Sequence, residues 1–95
     1  MRLKQSEIEY FKELALTIFH SKDIYLFGSR VDDNLKGGDI DIYIQTDKKE
    51  DILKSKIIFL REFEKEFGEQ KIDLLIDNKT THKEIFEIAK KGIKL

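Results

Sequence analysis

The chain has 95 residues, a near-balance of 18 basic and 19 acidic side chains with a net charge of −1, and neither Cys nor Pro. That length supports one domain with a real core, over 1–95, and leaves no room for a second. The composition excludes a disulfide framework and thiolate chemistry, shows no apolar run approaching a membrane span, and lacks the basic stripe that nucleic-acid binding through phosphates usually needs, so a reducing cytoplasm is the expected compartment.

Ser6 and Glu9 have the spacing of a capping box, which predicts a first helix from near Ser6. Ile8, Phe11, Ala15 and Ile18, joined by Leu14 and Phe19, recur at helical spacing and give that helix one apolar face. Asp23 to Gly28 (DIYLFG) is rich in β-formers and ends in Gly, which predicts a strand and then a tight turn. Ser29 to Gly38 carries Asp, Asn, Lys and a Gly-Gly pair and reads as a short helical turn followed by a loop. Within it Asp32, Asp33 and Asn34 have turn-initiating chemistry, and Lys36 is expected to be a solvated loop lysine.

Asp39 to Thr46 (DIDIYIQT) alternates strictly, with Ile40, Ile42 and Ile44 on one face, as a half-buried strand does. Glu50 to Phe67 places Leu53, Ile57, Leu60 and Phe67 with Ile52, Phe59 and Phe63 on a broad helical face, and Gly68 suits its C-terminal cap. Gln70 to Asp77 (QKIDLLID) is a third strand. Thr81 onward opens a last helix that Gly92 would close. The predicted architecture is α+β: a small three-stranded mixed sheet flanked by about four helices.

The chemistry sits on the strands. Residues two apart project to one face, so Asp39 and Asp41 point together, away from the Ile40/Ile42/Ile44 core face. A lone D-x-D is common at an ordinary strand start, so the pattern needs company. In the third strand Ile72, Leu74 and Ile76 face the core, which turns Asp73 outward on the same side of the sheet. A helix as long as Glu50–Phe67 is the usual crossover between parallel neighbours, and parallel pairing puts the two strand starts at one end of the sheet. Asp73 can then approach Asp39 and Asp41. Carboxylates brought together repel unless a cation lies between them, and a hard divalent ion such as Mg²⁺ takes oxygen ligands.

Gly28-Ser29-Arg30 is the second feature. Glycine at a strand end permits a sharp turn and close approach of a ligand. The Ser29 hydroxyl and the Arg30 fork supply donors suited to phosphate oxygens. The short connection from Gly28 to Asp39 would return the chain antiparallel beside the first strand, bringing this turn next to the acids. Lys71 shares the face of Asp73 and can balance the acidic cluster. His20 and His82, each alone in the sequence, are expected near helix ends with no role as ligand or base.

Gly28-Ser29-Arg30, nine residues from Arg30 to Gly38, and then Asp39-Ile40-Asp41 together resemble the signature of the polymerase-β-like nucleotidyltransferases. The likeness spans nearly the whole chain and is strongest to the minimal nucleotidyltransferases (MNT) that act as antitoxins in HEPN/MNT toxin–antitoxin pairs. It implies that Gly28, Ser29 and Arg30 bind the nucleotide, that Asp39, Asp41 and Asp73 are the catalytic residues and metal ligands, and that a two-metal Mg²⁺ site with ATP as substrate is present. It further implies transfer of AMP to a hydroxyl, such as a tyrosine, of a partner HEPN-domain toxin within a hetero-oligomer. Two alternatives stay open at this level: a non-catalytic nucleotide-binding subunit that neutralises its partner by masking it, and nucleotide transfer to RNA.

Overall fold

Helix α1 (Gln5–Phe19) opens the chain with Ile8, Phe11, Leu14, Ala15 and Phe19 buried on one face, as the periodicity predicts. The computed structural model describes residues 1–34 and 38–95, so Lys36 and the first glycine of the Gly-Gly pair lie outside the described residues. The helix starts one residue earlier than Ser6, and Ser6 and Glu9 are exposed and form no cap. Glu7 takes that role. Its buried carboxylate accepts from the Lys4 backbone N–H at 2.9 Å and from the Gln70 side-chain amide at 3.2 Å. Gln70, two residues before the third strand, thus holds the capping acid from outside the helix, and spacing within the helix cannot show that.

Strand β1 (Asp23–Phe27) follows, then a 3-10 turn (Gly28–Val31), strand β2 (Ile40–Gln45), helix α2 (Ile52–Phe67) and strand β3 (Ile72–Asp77). Helix α3 (Glu84–Lys90) and a two-residue strand β4 (Ile93–Lys94) complete the described elements. The sheet has four strands rather than three, in the order β3-β2-β1-β4. Among the described residues there are three α-helices and the 3-10 turn where about four helices were expected. β1 pairs antiparallel with β2, and β2 pairs parallel with β3, as the connection lengths predict. β4 adds to the far edge of β1, with Leu26 opposite Ile93 and the Leu95 N–H donating to the Ile24 carbonyl at 2.9 Å. Gly92 permits this approach, because a Cβ there would come within 2.2 Å of the Leu26 carbonyl oxygen.

Helices α1 and α2 cover one face of the sheet. Phe11, Phe19, Phe59 and Phe63 pack on Ile24, Leu26, Ile40, Ile42, Ile44 and Leu74. The Phe11 and Phe63 rings stack nearly parallel with centroids 4.1 Å apart. Burial of each such side chain contributes about 1.5–3 kcal/mol by area removed from water. The face of α2 differs from the one predicted: Phe59 and Phe63 are fully buried, whereas Leu53 is 71% exposed and Ile57 48% exposed. The apolar stripe of α2 is wider than its contact, so the sequence pattern alone overstates the buried face.

The other face of the sheet is only partly covered. Helix α3 sets Phe86 and Ala89 against Phe27 and Tyr43, with Tyr25 and Leu75 at the margin. β2 is thus buried on both sides at its middle, not on one, and Tyr43 is fully buried. Its hydroxyl donates to Asp77 Oδ2 at 2.6 Å and accepts from Gln45 Nε2 at 3.2 Å. Burial, with the Asp77 hydrogen bond behind it, holds the Tyr43 phenol above its ordinary range and keeps it neutral. The part of this face that α3 leaves open carries the acids.

Candidate active site

Antiparallel pairing puts Phe27, the last residue of β1, opposite Asp41, and parallel pairing puts Asp41 directly opposite Asp73. The glycine after Phe27 consequently lies against the Asp41 side chain. Gly28 has φ +76°, and a Cβ built on it would lie 2.1 Å from Asp41 Oδ2. Only glycine satisfies both conditions, since the left-handed backbone and the missing Cβ are each required. The space that a side chain would fill is taken by the carboxylate.

Gly38 plays the same part at the other end of the loop. With φ +88°, its absent Cβ leaves room for the Ser29 hydroxyl, which would lie 2.2 Å from that atom. The two glycines interlock the turn after β1 with the start of β2: Gly28 accommodates Asp41, and Gly38 accommodates Ser29. This pairing gives the motif a physical meaning: the sequence marks Gly28 as a sharp turn open to a ligand, whereas the space beside it is filled by the Asp41 carboxylate. The 3-10 turn is too short to act through a helix dipole, so any anion held here meets individual donors rather than a macrodipole.

Asp41 is half-buried and Asp73 is exposed. Burial first, and then the hydrogen-bonding reach and negative charge of Asp73, followed by the charge of Asp39, push the Asp41 carboxyl up to about 6. Two acids in register on adjacent strands therefore share one patch of low tolerance for negative charge. Asp39 lies just before β2, close enough for its charge to be felt at Asp41, while its Oδ2 sits 3.5 Å from the exposed Lys71 ammonium. Like charges separate where a counter-charge is at hand, and Lys71 supplies one. As arranged, Asp41 and Asp73 meet and Asp39 stands beside them; among the described residues no group of three or more His, Cys, Asp or Glu side chains is gathered closely enough to hold a metal ion. The donor set nevertheless suits a hard cation, because crowded carboxylate oxygens are what such an ion neutralises.

Arg30 faces the loop. Its Nε donates to the Gly38 carbonyl at 3.2 Å and its Nη1 to the Arg2 carbonyl at 2.9 Å. Two of its donors thus hold the turn. The Asp32 carboxylate accepts from the Asn34 N–H at 2.8 Å, the turn chemistry predicted for that segment. His20, at the end of α1, and His82, before α3, are both exposed.

A cleft of about 430 Å³ opens beside the acids. Asp41 and Asp73 line it together with Phe27, Leu75 and Ile85 from the α3 side and Lys56 and Leu60 from α2. Lys56, in the second turn of an amphipathic helix, carried no signal in the sequence that would separate it from the other lysines of α2. The arrangement offers an acidic floor with donors suited to a hard cation, an adjoining turn bearing hydroxyl and guanidinium groups, and an apolar wall. No helix among the described residues is long and apolar enough to cross a membrane. Among curated proteins none matches the chain. The family model described as polymerase beta, nucleotidyltransferase, matches residues 9–95, which takes in the glycine-serine turn and all three aspartates, and the chain therefore belongs to the polymerase-β-like nucleotidyltransferase family.

Proposed function

We propose that the chain transfers AMP from ATP to a hydroxyl, most simply a tyrosine hydroxyl, of a partner HEPN-domain protein, and that this transfer neutralises the partner as a toxin. The observation that carries the reading is the registered Asp41–Asp73 pair with Gly28 closed against it. Family membership supports nucleotidyl transfer in general; the acceptor and the antitoxin role come from the resemblance of the motif spacing to the MNT group.

In this reading Asp39, Asp41 and Asp73 hold Mg²⁺, which when bound would neutralise charge on the reacting phosphate oxygens. Gly28 and Ser29 seat the triphosphate. The acceptor hydroxyl enters from the cleft, so that Asp73, the most exposed of the pair, lies nearest to take its proton. The hydroxyl oxygen bonds to the α-phosphorus as the bond to pyrophosphate breaks, and the pyrophosphate carries away the electron pair. The apolar wall of Phe27, Leu75 and Ile85 favours a protein side chain over a polyanionic strand at the acceptor position.

The test is incubation with α-labelled ATP, Mg²⁺ and the HEPN-domain partner, with Asp39→Asn in parallel. Label on the partner that depends on Asp39 is the expected result. Absence of transfer from the unaltered chain would sink the enzymatic reading, and neutralisation that survives Asp39→Asn would show that masking does the work. Label on RNA in place of protein would reassign the acceptor.

A further inference from the structure

The turn that carries Ser29 does not stand alone, and its strongest support comes from a residue with no signal in the motif. Arg2 lies ahead of α1, 27 positions from Ser29 in the sequence, yet its side chain reaches across the turn. Nη2 donates to the Ser29 carbonyl at 3.0 Å and Nε donates to the Asp32 carbonyl at 3.1 Å. The Arg2 backbone N–H donates to the Arg30 carbonyl at 2.8 Å, and the Arg2 carbonyl in turn accepts from Arg30 Nη1 at 2.9 Å. Arg2 and Arg30 thus bind each other's backbone while each guanidinium grips a carbonyl of the turn or of Gly38. Four charge-assisted or backbone hydrogen bonds tie this extended segment to the turn between Gly28 and Asp32, and Arg2 itself is half-buried.

The consequence is geometric. The Ser29 hydroxyl lies against Gly38, and the Arg2 Nη2 is 3.9 Å from the point a Gly38 Cβ would occupy. The guanidinium therefore backs the place where the turn and the start of β2 interlock. Its planar fork spans two carbonyls three residues apart, which a lysine ammonium cannot do with the same geometry. Two arginines packed at one short turn repel each other, and an anionic ligand at Ser29 relieves that repulsion.

We propose that Arg2 is a positioning residue for the phosphates of the nucleotide: its fork fixes the Ser29 turn in the shape that receives the β- and γ-phosphates. This rests on the reading that ATP is the donor at Gly28-Ser29. The effect of losing Arg2 scales with the number of phosphates beyond the first, because the α-phosphate lies toward the aspartates.

The experiment compares Kd values of ATP and AMP for the full chain, Arg2→Ala and Arg2→Lys in Mg²⁺, with thermal unfolding recorded for each. Arg2→Ala is expected to weaken ATP roughly tenfold, the scale of one charge-assisted hydrogen bond, with AMP nearly unchanged. Arg2→Lys is expected to keep the defect. Unchanged ATP affinity in Arg2→Ala overturns the proposal, as does an equal loss for ATP and AMP, which marks general disruption. Full rescue by Arg2→Lys also overturns it, since charge alone would then suffice. If the unaltered chain itself binds no ATP, the reading of the site falls together with the proposal. ATP binding by the unaltered chain, with no change in Arg2→Ala, removes this inference alone.

Discussion

Gly28 shows how one residue can carry a site without contributing a side chain. Its backbone is left-handed and its missing Cβ is the space of the Asp41 carboxylate. Gly28→Ala is expected to cost about 1–2 kcal/mol for the backbone alone. It also pushes Asp41 off its position opposite Asp73, and a displacement near 1 Å lowers transfer by roughly 100-fold. Steady-state transfer rates beside urea unfolding separate the two effects. The glycine was legible from the sequence because it ends a strand before a serine. Its partner Gly38 was not, since the interlock with Ser29 exists only once the loop closes. Asp41 also makes a pH prediction. Its carboxyl is held up to about 6 in the folded state, above its value in an unfolded chain, chiefly by burial and then by Asp73. The folded state consequently binds the proton more tightly, and stability contributed by this group declines as pH rises from about 4 through 6. In chelator-treated protein, Asp41→Asn should match the unaltered chain near pH 4 and become the more stable of the two above pH 6. Parallel stability curves with no divergence would contradict the crowding of the two acids.

At the scale of elements, helix α2 gives the clearest contrast between pattern and packing. Phe63 is fully buried and stacks on Phe11, whereas Ile57 on the same helix is 48% exposed. Phe63→Ala is expected to cost about 3–5 kcal/mol, and Ile57→Ala to stay within about 0.5 kcal/mol. Denaturant midpoints measure both, and comparable losses would mean that the outer stripe of α2 is packed after all. The helix was predictable from its period of apolar residues, but that period does not say which half of a wide stripe meets the sheet. β4 illustrates the opposite limit. Two residues have no periodicity to read, and their pairing with β1 depends on Gly92 passing beside the Leu26 carbonyl. The core face of β2 was legible through Ile40, Ile42 and Ile44, while burial of Tyr43 was not, because its cover comes from the distant Phe86.

For the whole molecule, strand order decides the chemistry. β2 lies between an antiparallel neighbour that ends just before Gly28 and a parallel neighbour that begins just before Asp73. That single arrangement brings the glycine-serine turn, the acidic pair and the cleft to one end of the sheet, and α3 leaves that end uncovered. Connection lengths and strand parity foretold that the turn and the aspartates meet, and Lys71, sharing the face of Asp73, was expected to balance them; the cleft and Arg2 behind Ser29 depended on side-chain reach that no local pattern encodes. We propose that Asp41 and Asp73 act as one catalytic unit. The most direct test is the rate of AMP transfer from α-labelled ATP by Asp41→Asn, Asp73→Asn and the double variant, with folding verified for each. Each single substitution should lower the rate by roughly 100-fold or more, and the double variant should lose little beyond that, as groups acting together do. A single variant that keeps a rate within about threefold of the unaltered chain, a change under 1 kcal/mol in barrier, would contradict the account.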